Sequence, residues 1–246
     1  MDLEISGKRA LVAASSKGLG FSTARALAAA GCRVVVSGRH EETLAKAASE
    51  LDALPLLADV STLAGATDFV ERGRELLGGL DILVPNAGGP PPGTFGDTDL
   101  DAYPDAIALN LLSVVAMCKT AIPEMQAQGW GRVLAITSIS VRQPIPHLIL
   151  SNTARAGATS FLKTTALEVA KDGVTVNSIQ PGLHLTDRVR SVYGDKVQSV
   201  AAGLPVGVVG DPDDFGQVAA FLCSEAARFI TGAAIPVAGG ADIGLQ

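Results

Sequence analysis

The sequence predicts an α/β protein: a doubly wound parallel sheet of Rossmann type with helices on both faces. Three observations carry the prediction. Short, continuously apolar runs alternate with helix-period runs along the chain. Small-residue or proline-rich turns follow the apolar runs. The first such turn joins a buried strand to a helix start, as in a dinucleotide-binding βαβ unit.

In chain order, residues 9–12 read as a strand, 13–20 as a small-residue turn opening a helix that runs to about residue 30, and 33–38 as the second strand. A helix over 41–51 and a short strand over 54–57 follow, then a helix over 63–77 and a strand over 81–84. The loop at 85–93 is stiffened by prolines. A long helix is expected from about 100 to 128, with Pro104 near its start and Pro123 kinking or breaking it. A strand over 132–137, a helix over 152–171 and a strand over 174–179 continue the alternation. Residues 181–210 break the rhythm with mixed charges and weak periodicity, and a lid is expected at about 183–210. Asp211-Pro212 is an N-cap followed by proline at the first helical position, starting a helix to about residue 227. A last strand over 233–237 leads into a glycine-rich tail.

No composition break divides the 246 residues, so one dinucleotide-binding domain over 1–246 is expected. The net charge of −6 and the lack of a Lys/Arg stripe argue against nucleic acid as a partner. No apolar run is seen to approach the roughly twenty residues that span a bilayer, and the N-terminus lacks the marks of a secretory signal. The expectation is a cytoplasmic protein without a membrane partner. Cys32, Cys118 and Cys223 are widely spaced and read as buried thiols, and no residues have metal-ligand spacing.

The turn carrying Ala14, Ser16, Lys17, Gly18, Leu19 and Gly20 is the candidate phosphate site, because small residues let the backbone approach a pyrophosphate and the helix start offers free N–H groups. Loops that follow strand ends should share one sheet edge, and these begin at Ala14, Gly38, Asp59, Asn86, Ser138 and Pro181. The second strand ends at Arg39, where an NAD-binding chain usually has Asp or Glu on the ribose 2′-hydroxyl. Arg39 and Lys17 instead offer cations to a 2′-phosphate, which favours NADP over NAD.

Taken together, these motifs resemble the short-chain dehydrogenase/reductase family over essentially the whole chain. Ala13 to Gly20 matches its first glycine turn, Asn86-Ala87-Gly88 its central motif and Pro181-Gly182, followed by Leu183, its post-strand turn. The resemblance implies an adenine contact at Asp59 and Val60, a brace near the ribose at Asn86, a relay asparagine at Asn110 and a catalytic serine at Ser138. It also implies assembly, with a homo-tetramer expected first and a homo-dimer next. Ala14 departs from the family's glycine and can replace it if the backbone there keeps a negative φ.

The larger departure lies after Ser138. The family places Tyr thirteen residues on and Lys four further; here those positions are Ser151 and Arg155. A serine hydroxyl is a far weaker acid than a phenol, and a guanidinium stays protonated, so neither simply replaces the lost pair. Arg155 is expected to polarise a carbonyl or hold the nicotinamide ribose. His147 and His184 have the intrinsic pKa for proton transfer, and Arg142 with Arg155 is a candidate clamp for an anionic substrate. Tyr103 and Tyr193 are the only phenols.

The leading expectation is an NADP-dependent oxidoreductase acting on a small carbonyl or alcohol by hydride transfer with a non-standard proton relay. Two alternatives stand beside it: a non-catalytic dinucleotide-binding protein, and a non-redox lyase or isomerase using Arg142, His147 and Arg155.

Overall fold

The structure, a computed structural model, describes residues 2–244. Met1, Leu245 and Gln246, the ends of the expected 1–246 unit, lie outside the described residues. Strand β1 (Arg9–Val12) leads through the turn into helix α1 (Gly18–Ala29), and β2 (Arg33–Gly38), α2 (Glu41–Leu51), β3 (Leu54–Leu57), α3 (Leu63–Leu77) and β4 (Ile82–Val84) follow. Next come α4 (Ala102–Ile107), a π turn (Ala108–Leu112), α5 (Ser113–Ala127), β5 (Gly131–Ile136) and α6 (Ile149–Val169). The chain ends with β6 (Val174–Pro181), α7 (Asp187–Tyr193), α8 (Val197–Ala201), α9 (Pro212–Leu222) and β7 (Ala234–Val237).

The seven strands form one sheet in the order β3-β2-β1-β4-β5-β6-β7, every neighbour parallel. The order reverses between β1 and β4, so their two C-terminal loops diverge and leave a crevice, the usual ligand position in such sheets. Alternate residues along the inner strands feed two cores. Leu11, Val35, Leu83, Val133 and Val176 pack with α3, α5 and α6, while Ala10, Val12, Val36, Ile82 and Ile179 pack with α1 and α9. Apolar burial on both faces explains why the strands read as continuous apolar runs.

Several boundaries differ from expectation. The helix begun near residue 100 is interrupted at the π turn around Asn110, not at Pro123, which sits inside α5 without ending it. Pro123 frees the carbonyl of Lys119, and both residues are solvent-exposed, so water can satisfy it. Together α4, the π turn and α5 run from Ala102 to Ala127, long and apolar enough to cross a membrane by length and composition. That corrects the expectation that no apolar run is so long; Val114, Met117, Cys118, Ala121 and Met125 are built into the core. Helix α6 starts three residues before residue 152, and α9 stops at Leu222, well short of 227, because Cys223 and Ser224 turn the chain. Asp211 does cap α9, accepting from Asp213 N at 2.8 Å. The cysteines are free and buried, and desolvation pushes each thiol up to about 12.

The segment expected as a lid contains α7 and α8 and is closed at its base. Leu185 N donates to Gly210 O at 2.9 Å and Gly210 N to Leu183 O at 3.0 Å, while Val206 N reaches the tail at Gly239 O.

The expectation of a negative φ at Ala14 is overturned: Ala14 has φ +46°, in the left-handed region. The flanking chain imposes it, since Asn86 Nδ2 holds both Ala13 O and Ala14 O while Ala14 N is bonded to Ser37 Oγ. An L-residue pays roughly 1–2 kcal/mol there. After allowing for the greater freedom of glycine in the unfolded chain, Ala14→Gly is expected to stabilise the protein by about 0.5–1 kcal/mol. In a thermal melt this corresponds to a rise of about 1–4 °C; a lower midpoint would show that the methyl group contributes packing that outweighs the strain.

Candidate active site

The turn after β1 is shaped by close approach. A Cβ on Gly20 would lie 2.6 Å from Ala14 O and 2.7 Å from Asn86 Nδ2, so only glycine fits. Gly18 has φ +63° and faces open space apart from Thr186 Cγ2 at 3.9 Å. Helix α1 has no side-chain cap, and no acidic residue lies in its first turn. Its N–H groups and the positive end of its dipole therefore face outward unneutralised, which fits a bound pyrophosphate.

At the end of β2, Ser16 Oγ lies 2.8 Å from where a Gly38 Cβ would stand, bringing the turn against the strand end. Arg39 and Lys17 are exposed, and neither is in an ion pair among the described residues. The site therefore presents cations and a hydroxyl, with no carboxylate at the end of β2. That donor set fits a ribose 2′-phosphate better than a 2′-hydroxyl. Beside it, Val60 is buried and the Asp59 carboxylate accepts from Ser61 N at 3.0 Å, fixing the turn after β3.

The loop Asn86-Ala87-Gly88 is held by three side chains from three elements. Asn86 Nδ2 donates back to Ala13 O and Ala14 O at 3.2 and 3.1 Å. Asn110 Nδ2, presented by the π turn, donates to Gly88 O at 3.0 Å, and its Oδ1 is buried without a hydrogen-bond partner among the described residues. Arg155 Nη2 lies 3.4 Å from Ala87 O, while its Nη1 donates to Ile136 O at 3.0 Å and approaches Thr137 O at 3.4 Å.

Arg155 is thus a buried guanidinium surrounded by carbonyls, with no carboxylate in ion-pair distance among the described residues. Burial lowers its pKa to about 10, and the charge of Arg188 pushes in the same direction. It remains protonated at neutral pH. Ser151, one helical turn earlier on α6, is also buried. Ser138 is half-buried and caps a short 3-10 turn, its Oγ accepting from Ser140 N at 3.1 Å. An oxygen used as an acceptor in this way still has its hydroxyl proton to donate.

The other candidates lie elsewhere. His184 is buried, edge-on to Phe215 with centroids 5.1 Å apart, and Gly210 packs on its ring. Desolvation lowers its pKa, and its Nδ1 sits 3.4 Å from Gly182 O. These contacts seat its ring against Phe215 of α9 and Gly210, at the base of the segment 183–210. His147 is exposed, and its bonded group is the backbone carbonyl, which accepts from Gly93 N. Arg142 Nη2 donates to Ala234 O on β7. Pro181-Gly182 pairs with β7, Gly182 N donating to Val237 O, and Leu183 begins the segment that carries α7 and α8.

Two residues that the sequence reading passed over stand at this edge. Thr186 caps α7 and lies against Gly18, and Arg188 lies over Gly89 with its guanidinium nitrogens 3.0 and 3.2 Å from where a Cβ would be. A Thr-Asp step after the proline-glycine turn is an N-cap signal and could have drawn attention to Thr186; an exposed arginine in an irregular segment carries no such signal.

Comparison with known proteins agrees with this geometry. The family model described as Enoyl-(Acyl carrier protein) reductase matches residues 13–242. Human Dehydrogenase/reductase SDR family member 4 is 34% identical over 96% of this chain and 88% of its own length. The 2,5-dichloro-2,5-cyclohexadiene-1,4-diol dehydrogenase LinX of Sphingobium indicum is 31% identical over 98% of each chain. Among solved structures, L-sorbose reductase from Gluconobacter frateurii, complexed with NADPH and L-sorbose, superposes with a TM-score of 0.92 at 33% identity over 100% of both chains. A 7α-hydroxysteroid dehydrogenase complexed with NADH and 7-oxo glycochenodeoxycholic acid gives 0.91 at 29% identity over 100% of this chain and 98% of that one. With its full-length relatives, its sheet order and its glycine turn in agreement, this chain belongs to the short-chain dehydrogenase/reductase family.

Proposed function

We propose that this protein is an NADP-dependent oxidoreductase of small carbonyl or alcohol substrates, working as one dinucleotide-binding unit beneath the lid at 183–210. The observation that carries the proposal is the cation-and-hydroxyl cradle of Ser16, Lys17 and Arg39 at the end of β2, next to a helix start with no protein cap. The NADPH in the complex of the related L-sorbose reductase supports the same choice of cofactor. When bound, the nicotinamide supplies or accepts the hydride.

The protein's own part is to bind, orient and polarise. Gly18, Leu19 and Gly20 offer backbone N–H groups to the pyrophosphate, with Thr186 closing over them. Asp59 and Val60 border the adenine, and Pro181, Gly182 and Leu183 border the nicotinamide. Asn86, Asn110 and Arg155 hold the intervening loop in shape. Ser138 donates a hydrogen bond to the substrate oxygen and Arg155 adds a fixed positive charge behind it, while in the reducing direction the proton that ends on that oxygen comes from water. Ser151 lies on the same helical face as Arg155, and proton exchange with solvent passes by way of water. Hydride transfer depends on positioning and charge, so a weaker proton donor slows it without abolishing it. Assembly as a homo-tetramer or homo-dimer is part of this reading, supported by exposed apolar side chains such as Leu167 on α6 and Phe229.

One observation favours a second reading. Arg155 is committed to three backbone carbonyls, which suits a non-catalytic dinucleotide-binding protein as well as an enzyme. A broad carbonyl panel followed by nicotinamide absorbance separates the two, since flat traces from protein with demonstrated NADPH binding would sink the oxidoreductase.

Cofactor choice gives the first quantitative test. Arg39→Ala combined with Lys17→Ala is expected to weaken NADPH binding by about 10- to 100-fold, as charge-assisted phosphate contacts are lost. NADH affinity should change by much less in a fluorescence titration, and tighter NADH than NADPH binding by the unaltered protein would reverse the assignment. The proton relay gives the second. Ser151→Tyr with Arg155→Lys installs a phenol beside an ammonium and is expected to raise kcat/KM on simple ketones at least about tenfold, within the range for general acid catalysis. A folded double variant with no gain would show that the pocket is shaped for other chemistry.

A further inference from the structure

We infer that Arg188 is the substrate's carboxylate anchor, so that the preferred substrates are small oxo acids and the corresponding hydroxy acids. The inference rests on the oxidoreductase reading above and names the substrate class for that site.

Arg188 sits on α7, in the lid, and its guanidinium lies against Gly89, immediately after the loop held by Asn86, Asn110 and Arg155. A Cβ at Gly89 would stand 3.0 Å from Nη1, 3.2 Å from Nη2 and 3.3 Å from Cζ, so even an alanine there would make the guanidinium give way by a few tenths of an ångström. Among the described residues no carboxylate pairs with it and no acceptor takes its N–H groups, although Asp187 is its neighbour in sequence. This is notable in a chain with 25 acidic residues against 19 basic ones. Arg188 is exposed on α7, and its charge helps lower the pKa of the buried Arg155, which itself has no carboxylate partner among the described residues. Two arginines facing one loop with no anion between them favour a ligand that brings one, and a guanidinium fork matches a carboxylate with two parallel hydrogen bonds.

A phosphate of the cofactor is the competing source of negative charge. The turn at Gly18–Gly20 is faced by Thr186, whereas Arg188 lies at Gly89. The geometry therefore assigns Thr186 to the phosphates and Arg188 to the substrate.

The test uses levulinate and acetoacetate, each against its methyl ester, with NADPH. The unaltered protein is expected to favour acid over ester in kcat/KM by about 10- to 100-fold, mostly through KM, as expected for one bidentate charged contact. Arg188→Gln should bring that ratio close to one, with Arg188→Lys between. Calorimetric titration of the NADPH-loaded protein with levulinate supplies a readout without turnover: binding should weaken at least about tenfold in Arg188→Gln. An acid-to-ester ratio of one or less in the unaltered protein, with turnover of both, would overturn the anchor and leave the oxidoreductase standing. Selective levulinate binding lost in Arg188→Gln, with no turnover of any probe, would uphold the anchor and defeat the oxidoreductase. No levulinate binding, or a loss of NADPH affinity in Arg188→Gln with the acid preference intact, would overturn the assignment to substrate.

Discussion

The site depends on the need to satisfy backbone carbonyls where β4 and β5 leave the sheet. At the point where strand order reverses, the loops after β1 and β4 diverge; backbone pairing from Ala13 N and Ile136 N still reaches Val84 O and Pro85 O, and beyond them side chains take up the carbonyls. Asn86 ties the loop after β4 back to the turn after β1, Asn110 reaches Gly88 from the helix above, and Arg155 reaches Ala87, Ile136 and Thr137 from α6. The π turn belongs to the same solution. Its extra residue breaks the helical register around Asn110, and the amide it presents points at the loop.

An arginine in that network differs from a lysine in more than charge. Its planar fork spans carbonyls from two strand ends at once, which a single ammonium on a shorter stem reaches less well. The cost is desolvation of a cation with no counter-ion, seen in the drop of its pKa to about 10. It stays charged through the whole physiological range, so the site keeps a permanent positive charge beside the cofactor crevice. Such a charge stabilises a developing oxyanion, but it cannot deliver a proton.

Much of the fold was legible because local signals agreed with tertiary structure. Helices α2 and α3 and strand β3 begin and end where caps and periodicity put them: Thr62 caps α3, accepting from Gly65 N, and Gly78 closes it in the left-handed conformation. The failures have physical causes. Pro123 is tolerated because its consequences fall on an exposed face. Ala14 takes a positive φ because Asn86 and Ser37 hold the turn, a constraint 23 and 72 residues away in sequence. Within the site, the glycine turn and the Asn86 and Asn110 positions could be read from motifs. Where Arg142, His184 and Arg188 point could not, since each is settled by packing on a distant element: Ala234 on β7, Phe215 on α9, and Gly89 after β4.

Ser151 and Arg155 must also be judged together. They lie four residues apart on α6, both buried on one face, so each side chain sets the space and the charge that the other meets. A phenol at 151 alone would face a cation already committed to three carbonyls, and an ammonium at 155 alone would leave some of those carbonyls without a donor. Contacting sites that share partners combine non-additively. Neither single change therefore measures what its residue contributes to the chemistry; the pair is the unit that sets both the shape of the loop after β4 and the acid available at the sheet edge.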